Sequence, residues 1–201
     1  MKNYRNKFSR YAMYTHIENF IKNKTLLPGK CLLIGDSLKG KGNKKTKIRN
    51  PAIINMLPKG CKVLAPSYPD VDIHNMPYDD NTFEYVIADQ VLEHVRKPWV
   101  GVEEVRRVLK PGGLAILTSA LIFYVHGVPH DYWRFTPDGI KVLCEKFSKI
   151  HRCQGTGNKR FVFDIFNGKG GRRVTPKTPI EKLAMACDNK HLVSVWIIAE
   201  K

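Results

Sequence analysis

The chain has 201 residues and a mass of 23.0 kDa, which fits one ordinary domain or one domain with a small appendage. With 43% hydrophobic and 26% charged residues it can form a buried core, so global disorder is excluded. Five scattered cysteines without a CxxC pair argue against a disulfide framework and a zinc ribbon. The longest apolar stretch, residues 114–125, is well short of the ~20 residues that cross a bilayer, and the N-terminus lacks a secretory pattern. We therefore expect a soluble protein of the reducing cytoplasm.

Basic charge is concentrated at the two ends of the chain. Residues 1–61 have 14 Lys and Arg against 2 Asp and Glu, a net charge of +12. Residues 62–150 have 10 against 12, a net charge of −2, and residues 151–201 have 10 against 4, a net charge of +6. Two segments hold six Lys and Arg each, one from Lys39 to Arg49 and the other from Lys159 to Lys177. They predict an anionic partner, such as nucleic acid or a phosphorylated ligand, or else a solubilising surface.

Hydrophobic periodicity predicts alternating helices and strands along the chain. Helices are expected over residues 11–24, from Pro98 to the turn at Pro111, and from Thr136 to Phe147. Strands are expected over residues 30–34, 61–65, 83–88, 114–117 and 191–199, and residues 154–179 are expected to form a basic loop. This alternation predicts an α/β fold, with a Rossmann-like, doubly wound and mostly parallel sheet that has helices on both faces.

A single domain is expected to span residues 1–201. Its parts are an N-terminal helical extension over residues 1–29, a core over residues 30–150, and a basic loop with a closing strand over residues 151–201. Ligands of such sheets bind beyond the carboxyl ends of the strands. The functional residues are therefore expected in the segments that follow the predicted strands.

The segment after the first predicted strand matches two short motifs. A GxxxxGK spacing begins at Gly35 and resembles a phosphate-binding loop, but Gly42 stands where the magnesium-binding Ser or Thr is required. This departure argues against a nucleotide triphosphatase. The GDSL tetrapeptide at the same place also resembles the opening block of GDSL-type ester hydrolases. That resemblance would make Ser37 the nucleophile and would pair Asp188 with His191 as the activating residues, and it stays open as an alternative.

A much longer resemblance begins at Asp72. Residues 72–95 read DIHNMPYDDNTFEYVIADQVLEHV, and residues 103–113 read EEVRRVLKPGG. Together with HDYWRFTP at residues 130–137, these blocks resemble class I S-adenosylmethionine-dependent methyltransferases and stand in that family's order. The resemblance implies a Rossmann-like fold, S-adenosylmethionine as the cofactor, and methyl transfer to an acceptor that the sequence does not identify.

The resemblance also implies where the cofactor is bound. Asp72 stands at the position of the family's adenine-contacting carboxylate, and Ile73 would pack on the adenine ring. Asp89 and Gln90 follow the next strand, where the family places backbone and side chains against the cofactor.

The glycine-rich loop of that family falls on Gly35, Asp36 and Ser37. Ser37 and Lys39 stand at positions where the family has its later glycines, so this loop is degenerate. Because several cofactor contacts are displaced by this change, a catalytically inactive domain that binds an anionic partner remains the alternative to an active methyltransferase.

Methyl transfer depends mainly on alignment of the acceptor with an already activated methyl group, and a general base helps when the acceptor is a hydroxyl. His94, His130 and Tyr132 are the predicted catalytic residues, with Tyr132 as part of an aromatic wall. His126, His130 and Asp131 are of metal-binding types, but we expect no metal because most such clusters bind none.

Overall fold

The computed structural model describes residues 7–35, 37–38, 47–48, 56–66, 71–127, 130–169 and 172–201, with residues 37–38 and 47–48 described by their backbone alone. The strands of the described residues are Lys30–Ile34 (β1), Ser37–Leu38 (β2), Lys47–Ile48 (β3), Lys62–Leu64 (β4), Phe83–Asp89 (β5), Leu109–Ala120 (β6), Lys149–Thr156 (β7) and Ser194–Glu200 (β8). The α-helices are Phe8–Lys22 (α1), Pro98–Val108 (α2), Pro137–Leu143 (α3), Lys159–Phe166 (α4) and Pro179–Met185 (α5), and Leu92–His94 form a 3-10 turn.

Six of these strands form one sheet in the order β4-β1-β5-β6-β8-β7. The strands β4, β1, β5 and β6 are parallel, whereas β8 runs antiparallel to both of its neighbours. β2 and β3 form a separate antiparallel pair. The sheet is therefore mixed and mostly parallel, which confirms the predicted fold class, and the carboxyl ends of β1, β5 and β6 meet at one edge.

Helices cover both faces of the sheet because successive strand residues point to opposite sides. In β1, Cys31 and Leu33 belong to a buried cluster with Tyr14 and Ile17 of α1. Leu32 and Ile34 belong to a second cluster on the other face, which takes its helical members from α2 and α3. Burial of both faces explains why the central strands appear in the sequence as continuous apolar runs.

The structure corrects the predicted loop over residues 154–179. Residues Lys159–Phe166 form α4, which begins where the Asn158 side chain accepts a hydrogen bond from the Phe161 N–H at 2.9 Å. Phe161 and Ile165, one turn apart, are the buried face of this short helix.

Two further differences lie at the ends of elements. α2 ends at Val108, and Leu109 already pairs with Phe83 as the first residue of β6, so the Pro111 turn lies inside an extended strand rather than at the end of the helix. β7 is an edge strand of mostly exposed or half-buried residues, and its polar sequence gave no strand signal. No helix among the described residues is long and apolar enough to span a bilayer.

Candidate active site

At Gly35 the predicted cofactor loop contacts the segment that follows β5. This residue follows β1 with a φ of +85°, a left-handed conformation that glycine adopts without strain. A Cβ built on Gly35 would lie 2.2 Å from Cγ2 of Val91, so the segments after β1 and β5 are in contact. Asp36 lies outside the described residues, and Ser37 is described only by its backbone at the start of β2. Of these loop residues, Gly35 is the one that the structure places in full.

Asp89, the last residue of β5, is buried and its carboxylate is bound from two elements. Tyr14 of α1 donates its hydroxyl to Oδ2 at 2.7 Å, and Thr118 of β6 donates its hydroxyl to Oδ1 at 2.7 Å. The Arg10 guanidinium lies 3.5 Å from Oδ2. Burial, together with the charge of Asp89, raises the pKa of Tyr14 well above its usual value, so Tyr14 remains a hydroxyl donor. Asp89 therefore connects the N-terminal helix to the sheet at the predicted site.

Gln90 holds an uncommon backbone conformation directly after Asp89. Its φ is 55°, in a region that few non-glycine residues occupy. Its backbone N–H donates to the Thr118 carbonyl at 3.1 Å, and its side-chain Nε2 donates to Thr118 Oγ1 at 3.1 Å. Backbone strain of this kind persists when neighbouring contacts impose it, and it concentrates at binding sites.

Asp72 lies in the segment over residues 71–82, which we call the motif loop. Its Oδ1 accepts a hydrogen bond from the His74 backbone N–H at 2.9 Å and lies 2.6 Å from His74 Nδ1. His74 Nε2 accepts from the Lys97 backbone N–H at 3.2 Å, so Nδ1 carries the proton that is directed at Asp72. Partial burial opposes ionisation of Asp72, but the hydrogen bonds from His74 outweigh it and lower the pKa of Asp72. Asp72 is thus an oriented carboxylate, and its Oδ2 has no partner among the described residues.

The next residue anchors the motif loop on α2. Ile73 is buried, and a Cβ built on Gly101 of α2 would lie 3.3 Å from three of its side-chain carbons. A side chain at position 101 would require Ile73 to shift by a few tenths of an ångström, so glycine favours this close approach of α2 to the loop. The described contacts of Ile73 are therefore with the core, and its predicted contact with an adenine ring stays a prediction.

Arg107 of α2 ties the motif loop to the helix through polar contacts. Its Nη1 donates to the Tyr78 carbonyl and to Asp80 Oδ1, both at 2.8 Å, and its Nη2 donates to the Met76 carbonyl at 2.9 Å. Glu104 accepts from Arg107 Nε at 2.6 Å and from the Met76 N–H at 2.9 Å. The hydrogen bond from Arg107 lowers the pKa of Glu104. These bonds hold the backbone that carries Asp72.

We expect Arg107→Ala to lower the free energy of unfolding by about 1–3 kcal/mol at pH 7, because hydrogen bonds to charged groups are lost from a half-buried side chain. Since the pKa of Glu104 in the folded protein lies below its ordinary value of 4.5, this contribution is fully present above about pH 4.5. It is lost as the pH falls through the lower folded pKa. Urea unfolding at pH 7 and pH 3.5 measures the free energy of unfolding of wild type and variant. The difference between these two free energies should be smaller at pH 3.5 than at pH 7. Arg96→Ala, at an exposed position, is the control, and a difference independent of pH would contradict this account.

The structure brings the segments that carry the three predicted catalytic residues into contact beyond β5 and β6, with His130 and Tyr132 as near neighbours. His94 ends the 3-10 turn, and its Nδ1 donates to the backbone carbonyl of His130. The rings of His130 and Tyr132 lie 5.4 Å apart between centroids. The Tyr132 backbone N–H donates to the Glu93 carbonyl at 2.7 Å, which joins the segment after β6 to the 3-10 turn. The roles of these side chains in catalysis stay predictions.

Asp131 fixes the segment that carries His126 and His130. Its side chain is only 2% exposed, and both of its oxygens accept from the Arg134 guanidinium. Its Oδ2 also accepts from the His126 backbone N–H at 2.8 Å and lies 3.2 Å from His126 Nδ1. The Arg134 guanidinium holds the pKa of Asp131 well below its usual range, against the opposing effect of burial.

Sequence reasoning missed Glu93, which is fully buried beside these residues. Its Oε2 accepts from the Ser119 hydroxyl at 2.8 Å, whereas its Oε1 has no hydrogen-bond partner among the described residues. Burial raises the pKa of Glu93. The LEH tripeptide, residues 92–94, identifies this turn as part of a family block. The sequence does not indicate that Glu93 is buried, because Ser119 and the segment after β6 that cover it are distant along the chain.

The hydrolase alternative gains little from the fold. His191 Nδ1 lies 3.0 Å from Asp188 Oδ1, but the same oxygen accepts the backbone N–H groups of Lys190 and His191, as in an ordinary local turn. His191 precedes β8, which lies three strand positions from β1, a separation of ~14 Å at ~4.8 Å per strand. The side chain of Ser37 lies outside the described residues, so the pairing of Ser37 with His191 remains untested.

The two basic segments differ in how much of them is described. Most of residues 39–49 lie outside the described residues. In the second segment, Arg160 Nε and Arg172 Nη1 lie 3.4 and 3.3 Å from the carboxylate of the buried Asp164. These two arginines are engaged within the protein, which reduces the charge that this segment offers to an anion.

Comparison with known sequences places a methyltransferase domain over this site. Residues 53–117 match a family model described as a methyltransferase domain, which is about a third of the chain and includes the motif loop, β5, α2 and most of β6. An uncharacterized methyltransferase of Schizosaccharomyces pombe is 37% identical over 60 residues, which are 30% of this chain and 22% of that protein. The chain spans about a fifth of the length of the curated relatives it matches.

Comparison with solved structures covers nearly the whole chain. The Burkholderia thailandensis 1,6-didemethyltoxoflavin-N1-methyltransferase, solved with S-adenosylhomocysteine bound, superposes with a TM-score of 0.56 at 13% identity, over 98% of this chain and 79% of that one. A S-adenosylmethionine-dependent methyltransferase of Archaeoglobus fulgidus superposes with a TM-score of 0.51 at 14% identity, over 98% of both chains. These comparisons confirm the resemblance seen in the sequence: residues 53–117 match a methyltransferase domain, and the described residues have the fold of class I S-adenosylmethionine-dependent methyltransferases.

Proposed function

We propose that this protein is a S-adenosylmethionine-dependent methyltransferase whose adenosine site lies at the carboxyl edge between the motif loop and Gly35. The observation that carries this proposal is the oriented carboxylate of Asp72, inside the segment that matches the methyltransferase domain. Its Oδ2 projects from a turn held by α2 and can accept a hydrogen bond from the exocyclic amine of adenine.

The described residues would contribute to binding such a cofactor in different ways. Asp72 offers an acceptor at the adenine end, and the left-handed backbone of Gly35 allows close approach at the other end. The carboxylate of Asp89 is already bound by Tyr14 and Thr118, so we propose that Asp89 supports the site by fixing the end of β5. The family resemblance implies that Gln90 contacts the cofactor. We propose that it does so through its side-chain oxygen Oε1, because Nε2 is already bonded to Thr118.

The residues near His94 are suited to the acceptor. A bound S-adenosylmethionine supplies an activated methyl group, so the protein has to align the acceptor and remove any proton that it releases. Nδ1 of His94 donates to the His130 carbonyl, which leaves Nε2 to accept a proton. We propose that His130 and Tyr132 line the acceptor side of the site, and the chemical class of the acceptor is left open.

Asp72→Asn tests the adenosine site because it keeps the shape of the side chain and removes its charge. We expect S-adenosylhomocysteine to bind the wild type in isothermal titration calorimetry with one site per chain. The variant should bind at least 10-fold more weakly, a change of about 1.4 kcal/mol. Asp79→Asn, on an exposed carboxylate of the same motif loop, is the matched control and should bind within twofold of wild type. Equal affinity of the Asp72 and Asp79 variants would contradict the assignment.

A second function, binding of an anionic partner without catalysis, is favoured by one observation, the departure of the glycine loop at Ser37 and Lys39. A nucleic acid held by the basic segments should dissociate steeply as salt is raised. Fluorescence titration with a labelled RNA at two salt concentrations tests it. No affinity for S-adenosylhomocysteine together with strongly salt-dependent RNA binding would favour this second function over the first.

A further inference from the structure

Three side chains of metal-binding type converge between the segments that follow β5 and β6. Glu93, His94 and His126 each offer a ligand atom that lies within 4.8 Å of the other two. The rings of the two histidines lie 4.9 Å apart between centroids at an angle of 79°. One carboxylate oxygen and two imidazole nitrogens form a donor set that suits divalent transition metals, whereas Ca²⁺ and Mg²⁺ prefer oxygen ligands.

Glu93 provides an independent indication of a ligand. Its side chain is fully buried, and its Oε1 has no hydrogen-bond partner among the described residues. A buried carboxylate oxygen without a donor is costly, and native structures rarely keep one without a reason. A cation held by the two histidines would satisfy this oxygen.

The outer contacts of both histidines resemble those of metal-bound imidazoles. Nδ1 of His94 donates to the His130 carbonyl, and Nδ1 of His126 lies 3.2 Å from Asp131 Oδ2. Asp131 is in turn held by Arg134. Metal-binding histidines usually have their second nitrogen held in this way, by a carbonyl or a carboxylate, which fixes the ring and the tautomer. Each ring therefore has Nε2 left as the donor for an ion.

We propose that Glu93, His94 and His126 bind one divalent transition-metal ion, for which Zn²⁺ is the probe. Tetrahedral Zn²⁺ at ~2.1 Å from its ligands sets them ~3.4 Å apart, so ligand atoms that lie within 4.8 Å of one another have to close by at most about 1.4 Å. This site differs from the cluster of His126, His130 and Asp131 considered from the sequence. Here His130 and Asp131 are not ligands: the His130 carbonyl orients His94, and the Asp131 carboxylate orients His126.

Three protein ligands leave at least one coordination position open. Once Nε2 of His94 is bound to the ion it no longer accepts a proton, so in the metal-bound protein this open position replaces His94 in activating the acceptor. It would take an oxygen or nitrogen atom of the methyl acceptor and lower the pKa of a bound hydroxyl. This role rests on the proposed function, whereas the binding of the ion does not.

The test is calorimetric titration of the untagged, chelator-treated protein with ZnCl₂, without cofactor or acceptor. A Cys187→Ser background removes the exposed thiol as a competing ligand. We expect one Zn²⁺ per chain, with affinity reduced at least 10-fold in Glu93→Gln and in His126→Ala. His130→Ala is the matched control, since it keeps the backbone carbonyl that orients His94. Its affinity for Zn²⁺ should stay within threefold of that of the Cys187→Ser background.

The outcomes separate the metal site from the methyltransferase proposal. His126 is about a third exposed, so its variant is expected to fold, which circular dichroism confirms before titration. Absence of stoichiometric Zn²⁺ binding by the wild type, or undiminished binding by folded His126→Ala, would overturn the metal site. A wild type that takes up one Zn²⁺ but no S-adenosylhomocysteine would support the metal site and contradict the proposed function.

Discussion

Asp89→Ala is expected to lower the free energy of unfolding by about 3–5 kcal/mol. The substitution removes the carboxylate that accepts hydrogen bonds from the buried hydroxyl groups of Tyr14 and Thr118. It also removes the negative charge that lies beside the Arg10 guanidinium. Each buried donor left without an acceptor costs about 1–3 kcal/mol. Urea unfolding followed by circular dichroism at pH 7 measures the loss.

Two further variants show whether this loss belongs to the Asp89 network. Asp89→Asn keeps one acceptor oxygen and should lose about half as much stability as Asp89→Ala. Glu103→Ala removes an exposed carboxylate that pairs with Lys146, and it should change stability by less than about 0.5 kcal/mol. If Asp89→Ala were as mild as Glu103→Ala, the Asp89 network would add nothing to the hydrophobic packing of α1 on the sheet.

Gly35→Ala should have the second largest effect, a loss of about 2–5 kcal/mol of unfolding free energy. A left-handed φ costs an ordinary residue about 1–2 kcal/mol, and the new Cβ, placed 2.2 Å from Val91, adds an overpacking cost of about 1–3 kcal/mol. Chemical denaturation measures the total. Because Gly35 lies at the proposed cofactor site, its variant should also bind S-adenosylhomocysteine at least 10-fold more weakly.

The chain offers a matched control for the clash. Gly112 has a φ of +75°, but no atom lies within 4 Å of a Cβ built there, so Gly112→Ala should show the backbone cost alone. Adding Val91→Ala to Gly35→Ala should recover the overpacking part. Equal losses at Gly35 and Gly112 would show that the segments after β1 and β5 are not in close contact.

The central strands and the motif loop could be predicted from the sequence. β1 has the predicted bounds, and β5 is one residue longer than predicted. Strands buried on both faces give nearly continuous apolar runs, which the half-buried Glu84 interrupts in β5. Asp72 was found through a block of residues in family order. These signals are local, so they can be read without knowledge of the tertiary contacts.

The remaining parts of the site depend on contacts between distant segments. Glu93 becomes buried only when Ser119 and the segment after β6 fold over it, and Asp89 depends on Tyr14, which is 75 positions away in the sequence. The edge strand β7 was missed for a similar reason, since pairing with β8 makes it a strand despite its polar residues. No local pattern of charge or hydrophobicity encodes such pairings.

A crystal structure of the protein with S-adenosylhomocysteine tests the proposed adenosine site most directly. We predict that the exocyclic amine of adenine lies within about 3.2 Å of Asp72 Oδ2, with the homocysteine end beside Gly35. Ligand density at another place on the sheet, or a ligand whose adenine lies away from the motif loop, would contradict the proposal.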